Sequence, residues 1–444
     1  MAKRFGFLIL IALFLIVTIL IPESRRALKL QAMCTASHNT YPWLPSPNLE
    51  IWPHDFLDKW SKSGVSAGTD WETDIALAQL YYNKGKDVSK TVEYSRKAVT
   101  AGPSHPEAYA SAVWAYARKC YFFRSEQIEL IGKLSAGARL QTEEADAAAA
   151  NELFDLSRQG ARLDPDNAFF DLMGAYALYG LHQDEKALEL VHAAAIKKHY
   201  NSYIKEANAA MVKYLKAADM PRTEVYMSDV LTSSLYMTSW PFSNMTVWYA
   251  KELDSKGHSR EAELLLLDLT RIGALIRKDS SGKSDCSIAS DIQSAISRAV
   301  RPPNMGGWIP GQEISSDVEG GAKAFTTHGW AELAAAWLPE YKAGSEFKKK
   351  TYDYYFSLAS PLNLGRLAAC AVPFSCLVLK WSFFLLIISG LCWLMLRISF
   401  REIAPVSNLS RAGSFRLAIF ALVPWLFANA VWMLTYDVEP IGGG

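Results

Sequence analysis

Gly160-Ala161-Arg162-Leu163-Asp164-Pro165, residues 167–179, Gly180-Leu181-His182-Gln183 and residues 184–198 follow one another directly, and their spacing decides the fold. The first six close a helix, because the residue before a proline is pushed out of the helical region. Residues 167–179 then carry apolar groups at helical spacing, the next four turn the chain, and residues 184–198 return antiparallel. Gly174 and Ala187 are small where the two helices would meet. Tyr176, Leu188 and Val191 supply the larger packing groups, so the stretch reads as a helical hairpin.

The plan recurs on either side. Residues 71–82 place Ala76, Leu77, Leu80 and Tyr81 on one helix face, Asn83-Lys84-Gly85-Lys86 turns, and residues 89–100 return with Val92, Tyr94, Ala98 and Val99. Gly102-Pro103-Ser104-His105-Pro106 stops that helix, and residues 107–118 begin another with Pro106 in its first turn. Residues 127–163 are helical but diffuse, with an alanine-rich run at 143–150 continued by Leu153, Phe154 and Leu156. Further on, residues 203–216 and 224–238 read as helices, and Trp240-Pro241-Phe242 is expected to break the chain. A third clear unit follows: residues 244–256, the turn Gly257-His258-Ser259-Arg260, then residues 261–276 with Ala262 and Leu266 facing inward. Residues 285–300, 323–337 and 341–358 complete the helices, and 301–321 is a Gly/Pro-rich loop.

With its small Gly174 in the first helix, Ala187 near the start of the second and Asp164-Pro165 between units, the central stretch resembles a tetratricopeptide repeat. Three units with the same turn placement strengthen the likeness. The resemblance implies packing and no reaction. The fold class expected is all-α, a tetratricopeptide-like α-solenoid flanked by transmembrane helices, and such a stack offers a concave surface lined by its first helices to a peptide or partner subunit.

The apolar excess of the chain, 50% hydrophobic against 20% charged, sits at its two ends. Residues 5–21 carry no charge, close to the minimum for crossing a hydrocarbon core of about 30 Å. Segment 1–29 is therefore read as an N-terminal anchor, with a signal peptide as the alternative; no small-x-small cleavage site follows the run. Segment 30–68 is a Pro/Trp-rich extended arm, 69–300 the repeat domain and 322–360 its terminal helices. Segment 361–396 is a second span, interrupted only by Lys380 and Pro373 between positions 367 and 396, with Trp381 and Trp393 suited to the interfaces. In the loop 397–416, Arg397, Arg401, Arg411 and Arg416 against Glu402 leave +3. That loop belongs in the cytoplasm, with 417–434 as the last span and 435–444 as an external tail. The expectation is a multi-pass protein, of bacterial inner-membrane type, with its helical domain on the external or periplasmic side.

Lysine plus arginine total 46 against 45 acidic residues, a formal net charge of +1 that argues against nucleic acid as a partner. The six cysteines form no CxxC pair and no zinc spacing with histidine, so no metal and no cofactor is expected. A single disulfide among Cys34, Cys120 and Cys286 stays open. No HExxH, P-loop, GxSxG or dinucleotide fingerprint occurs. Two Trp/Pro segments carry the remaining possibilities. Trp43, Trp52, Trp60, Trp308, Trp330 and Trp337 are candidate partner-binding residues, since aromatic side chains anchor interfaces. His54, Asp55 and His328 are weak catalytic candidates.

The reading is a non-catalytic, membrane-anchored scaffold or assembly subunit whose partners are subunits of a membrane complex or a peptide, together with the bilayer. The alternative is an enzyme or accessory domain acting on envelope polymers or lipid-linked substrates, with residues 302–321 as a lid over His54, Asp55 and His328.

Overall fold

The computed structural model describes residues 54–131, 142–220, 236–279, 283–300 and 318–359. Among these residues the chain is all-helical. They form fourteen α-helices and one π-helical turn, and β pairing is limited to isolated bridges of Phe123 with Glu143 and of Asn167 with His199. Of the described residues, those within 66–214 and 232–355 form one compact unit, and 54–65, 215–220 and 356–359 fall outside it.

In chain order the helices are α1 (His54–Ser61), α2 (Asp70–Leu80, continued by the π-helical turn Tyr81–Gly85), α3 (Val88–Ala101), α4 (Pro106–Lys119), α5 (Ser125–Ile131), α6 (Ala147–Leu163) and α7 (Ala168–Gly180). There follow α8 (Asp184–Ala195), α9 (Ile204–Ala217), α10 (Tyr236–Ser255), α11 (Ser259–Asp279), α12 (Lys283–Ser297), α13 (Val318–His328) and α14 (Ala331–Ala359). Their starts are written in side chains that satisfy the orphan amides of a first turn. Thr69 and Glu72 form a reciprocal capping box on α2, and Asp87, Asp146 and Asn167 cap α3, α6 and α7.

Helices α2 with α3, α4 with α6, α7 with α8, and α10 with α11 are antiparallel hairpins in a repeat-like stack. The first helices touch in the order α2, α4, α7, α10, while α3 and α6 each pack on their own first helix and on the next one. Three of the four hairpin turns pass through a left-handed residue: Lys86 (φ 53°), His182 (φ 55°) and Gly257 (φ 88°). The second hairpin instead carries α5 and an insertion between its helices.

The stack does not leave an open concave face over its central units. Helix α4 is buried at every position from Ala108 to Ala117, and α7 at Ala168, Phe169, Phe170 and from Leu172 to Tyr179. A helix apolar around its circumference must be covered on all sides. The cover comes from within the chain. Trp114 Nε1 donates to the Ser202 carbonyl at 2.9 Å, Tyr179 is hydrogen-bonded to Thr246 of α10, and Lys213 of α9 pairs with Glu72 of α2 at 2.7 Å. Helix α9 turns Ile204, Ala207, Met211 and Tyr214 inward at helical spacing. Helix α9 thus lies along part of the first units, through Ile204 beside Ala78 and Trp114 and through the Lys213–Glu72 pair.

Several boundaries differ from those the sequence suggested, each for a local reason. Residues 54–61, expected in an extended arm, form α1 because Pro53 precedes the helix and so removes none of its hydrogen bonds. Residues 143–146 are not helical: Glu143 exchanges both backbone hydrogen bonds with Phe123 at 2.9 Å, and α6 starts only after the Asp146 cap. Helix α10 runs through Pro241 and α14 through Pro339, each giving up one internal hydrogen bond. The helix expected over 323–337 is divided at Gly329, whose φ of 94° ends α13. Residues 318–321 belong to α13, so the expected loop is shortened to 301–317, which lies outside the described residues. No helix among the described residues is long and apolar enough to cross a membrane. The three expected spans, at 5–21, 367–396 and 417–434, lie outside those residues.

Candidate functional site

Helices α6 and α8 both lie against α7, and between them, over Gly174, a cleft of about 240 Å³ opens. Gly174 forms its floor: a Cβ there would meet Leu190 Cδ1 at 3.0 Å and Phe154 and Ser157 at 3.8 Å, so the missing side chain keeps the cleft open. Phe154, Ala161, Phe170 and Leu190 line it with apolar surface, and Ser157, Arg158, Arg162 and Asp171 supply its polar groups.

These polar groups are unequally satisfied. Asp171 is ion-paired with Lys197 at 3.0 Å, and burial pushes its carboxyl up while Lys197 pulls it down. Ser157 is 1% exposed, and its Oγ has no hydrogen-bond partner among the described residues. Native interiors rarely leave such a hydroxyl unmade, because desolvating it without compensation costs about 1–3 kcal/mol. Arg158 and Arg162 are exposed, stand one helical turn apart, and have no carboxylate partner among the described residues; Arg158 lies 5.7 Å from the Phe154 ring centroid. Of the charged residues lining the cleft, Arg158 and Arg162 against Asp171 leave a charge of +1.

Elsewhere other buried polar atoms also lack partners among the described residues, Arg124 Nε, Asn244 Nδ2 and Gln293 Oε1 among them, although the amino groups of Arg124 are engaged. Arg124, 8% exposed, donates to Asp184 Oδ1 at 2.6 Å, to the Tyr179 carbonyl at 3.1 Å and to Glu126, and the Tyr249 hydroxyl donates to the same Asp184. Burial opposes its charge and the two carboxylates more than restore it, so its pKa rises. This network ties α5, the α7–α8 turn and α10 together. Among the described residues, no group of three or more His, Cys, Asp or Glu side chains is placed to hold a metal ion.

The residues singled out in the sequence fall in different places. Trp330 and Trp337 are 2% and 1% exposed, and they pin α14 to the stack: Trp330 Nε1 donates to Ser259 Oγ at 2.9 Å and Trp337 Nε1 to the Gln293 carbonyl at 3.0 Å. They are core clamps, since both the ring and the one donor of each are already used inside the chain. Trp60 is likewise buried, on α1. His328 pairs with Asp254 at 2.8 Å and packs edge-on to Trp330. His54 and Asp55 open α1, and their side chains lie outside the described residues, as do Trp43, Trp52, Trp308, Trp381, Trp393, Arg397, Arg401, Arg411 and Arg416. Cys120 is 1% exposed, with burial pushing its thiol up to about 12; the side chains of Cys34 and Cys286, its partners in the disulfide alternatives, lie outside the described residues.

The cleft residues were not picked out from the sequence. Their one legible signal is the pair Arg158 and Arg162, like charges at i,i+4 that repel on an isolated helix.

Fold and cleft together define an all-α protein of stacked, repeat-like helical hairpins with a basic-rimmed cleft on its second-helix row. Neither a protein-family model nor a curated protein matches the chain.

Proposed function

We propose that this protein is a membrane-anchored scaffold or assembly subunit of a membrane protein complex, holding a partner protein on its tetratricopeptide-like helical domain. The observation that carries the reading is the cleft over Gly174. It is a place in the described stack where exposed cations and a buried hydroxyl stand without partners while the surrounding core is closed. Groups of this kind are retained where something else supplies the missing contacts. The apolar runs at 5–21, 367–396 and 417–434 would hold the domain at the bilayer, on the external or periplasmic side given the arginines of 397–416. Attachment at both ends keeps the domain near membrane partners and raises their effective concentration.

Purification from membranes in mild detergent, followed by mass spectrometry, tests the reading. A stoichiometric partner is expected. Recovery of the chain alone and monodisperse would sink it.

A further inference from the structure

We propose that the cleft between α6 and α8 binds an acidic peptide segment, one apolar side chain entering over Gly174 while its neighbouring carboxylates meet Arg158 and Arg162. The inference rests on the scaffold reading and names the chemistry of its partner.

Four features of the site converge on that occupant. Its volume, about 240 Å³, falls below the roughly 300–1,000 Å³ of small-molecule sites and suits a single side chain. Phe154, Phe170, Ala161 and Leu190 make the wall apolar, so the entering group is apolar. Arg158 and Arg162 lie at i,i+4 on α6, about 5–6 Å apart at Cβ, which matches carboxylates on nearby residues of one chain. A guanidinium presents a planar fork of donors to a carboxylate; Arg158 and Arg162 are exposed and have no carboxylate partner among the described residues, Arg158 lying over the Phe154 ring. Ser157 lines the cleft, and its buried Oγ, without a partner among the described residues, can donate to a carbonyl of an entering segment that uncovers it.

The charge also sets the sign of selectivity. Asp171 lies buried against Lys197 at 3.0 Å, whereas Arg158 and Arg162 are exposed at the rim and would disfavour a basic peptide. An anionic membrane surface would be drawn to the same arginines, but it has no use for an apolar slot floored by a glycine or for an enclosed hydroxyl. The peptide is therefore the better match.

The test uses the full chain in detergent micelles and fluorescence anisotropy with a labelled short acidic peptide carrying one central leucine. Three comparison probes are the same peptide with serine for leucine, a lysine-rich version, and vesicles of phosphatidylserine with phosphatidylcholine. The acidic leucine peptide is expected to bind best. The double variant Arg158→Glu/Arg162→Glu, whose side chains are exposed, should weaken it at least about tenfold with an unchanged melting temperature. Ser157→Ala should weaken it about three- to tenfold, the loss of one hydrogen bond. Equal binding of acidic and lysine-rich peptides, no effect of the double variant, or arginine-dependent capture of vesicles without peptide binding would each overturn the proposal. If a membrane partner co-purifies as well with the double variant as with the native chain, the scaffold reading stands and the cleft assignment falls.

Discussion

The left-handed turn residues show how much one backbone angle decides. Lys86, His182 and Gly257 occupy equivalent turn positions at positive φ, yet only Gly257 lacks the Cβ that makes this region unfavourable. Nothing lies within 4 Å of a Cβ built on Gly257, so strain alone governs a substitution there. Gly257→Ala is expected to destabilise by about 1 kcal/mol and His182→Gly to be neutral or stabilising by a few tenths, both read from denaturant midpoints. Asp74 on α2 gives the pH-dependent counterpart. Half-burial raises its carboxyl from 3.8 to about 6, with Lys97 opposing and Asp70 reinforcing the shift. The folded chain holds this proton more tightly than the unfolded one. Its contribution to stability is therefore full below pH 3.8 and is lost as pH rises through about 6. The whole shift would correspond to roughly 3 kcal/mol, but solvent reaches the group and leaves about 1 kcal/mol. Asp74→Asn should stabilise by about that amount at pH 8 and make no difference near pH 3. A melting-temperature gain equal at both pH values would contradict this.

Between elements, two devices hold the stack in register. The Arg124–Asp184–Tyr249 network joins helices far apart in sequence. Removing one partner leaves a buried charge uncompensated, so Arg124→Met is expected to cost about 3–5 kcal/mol in urea unfolding. Adding Asp184→Leu should recover part of that loss, since two apolar groups no longer carry the unpaired charge. At the other end, Glu263 is 4% exposed and accepts from the backbone amides of Glu332 and Leu333 at 3.1 and 3.2 Å, capping α14 in the place of a local side chain. Arg277 adds a two-pronged pair with Glu340, and Trp337 fills the space against Phe325 and Tyr341. Trp337→Ala should cost roughly 3–5 kcal/mol through the cavity it leaves. A variant that kept native stability while losing a partner would restore the docking role first suggested for this tryptophan.

At the scale of the whole molecule, the proposed topology has a direct consequence. Protease added to the outside of sealed spheroplasts should cleave the helical domain while leaving the loop 397–416 protected, and the reverse pattern would contradict the arginine-based orientation. The hairpins were legible because their signals are local. Helical spacing, Pro106 in a first turn and the turn at Gly180-Leu181-His182-Gln183 all act within a few residues of themselves. The prolines misled in the opposite way. Pro241 and Pro339 announce breaks, yet α10 and α14 run through them, because tertiary packing can outweigh one lost hydrogen bond.

By itself, then, the sequence determined an all-helical chain of antiparallel pairs, with Gly174 and Ala187 small where helices meet. Periodicity and capping depend on neighbours along the chain, which a sequence displays. Only the tertiary structure decided that α9 and residues 199–203 cover the first helices, that Trp330 and Trp337 belong to the core, and that Ser157, Arg158 and Arg162 surround an open cleft. Those outcomes depend on which surfaces meet across dozens of residues, and whether a polar group is left without a partner is known only once every neighbour is in place.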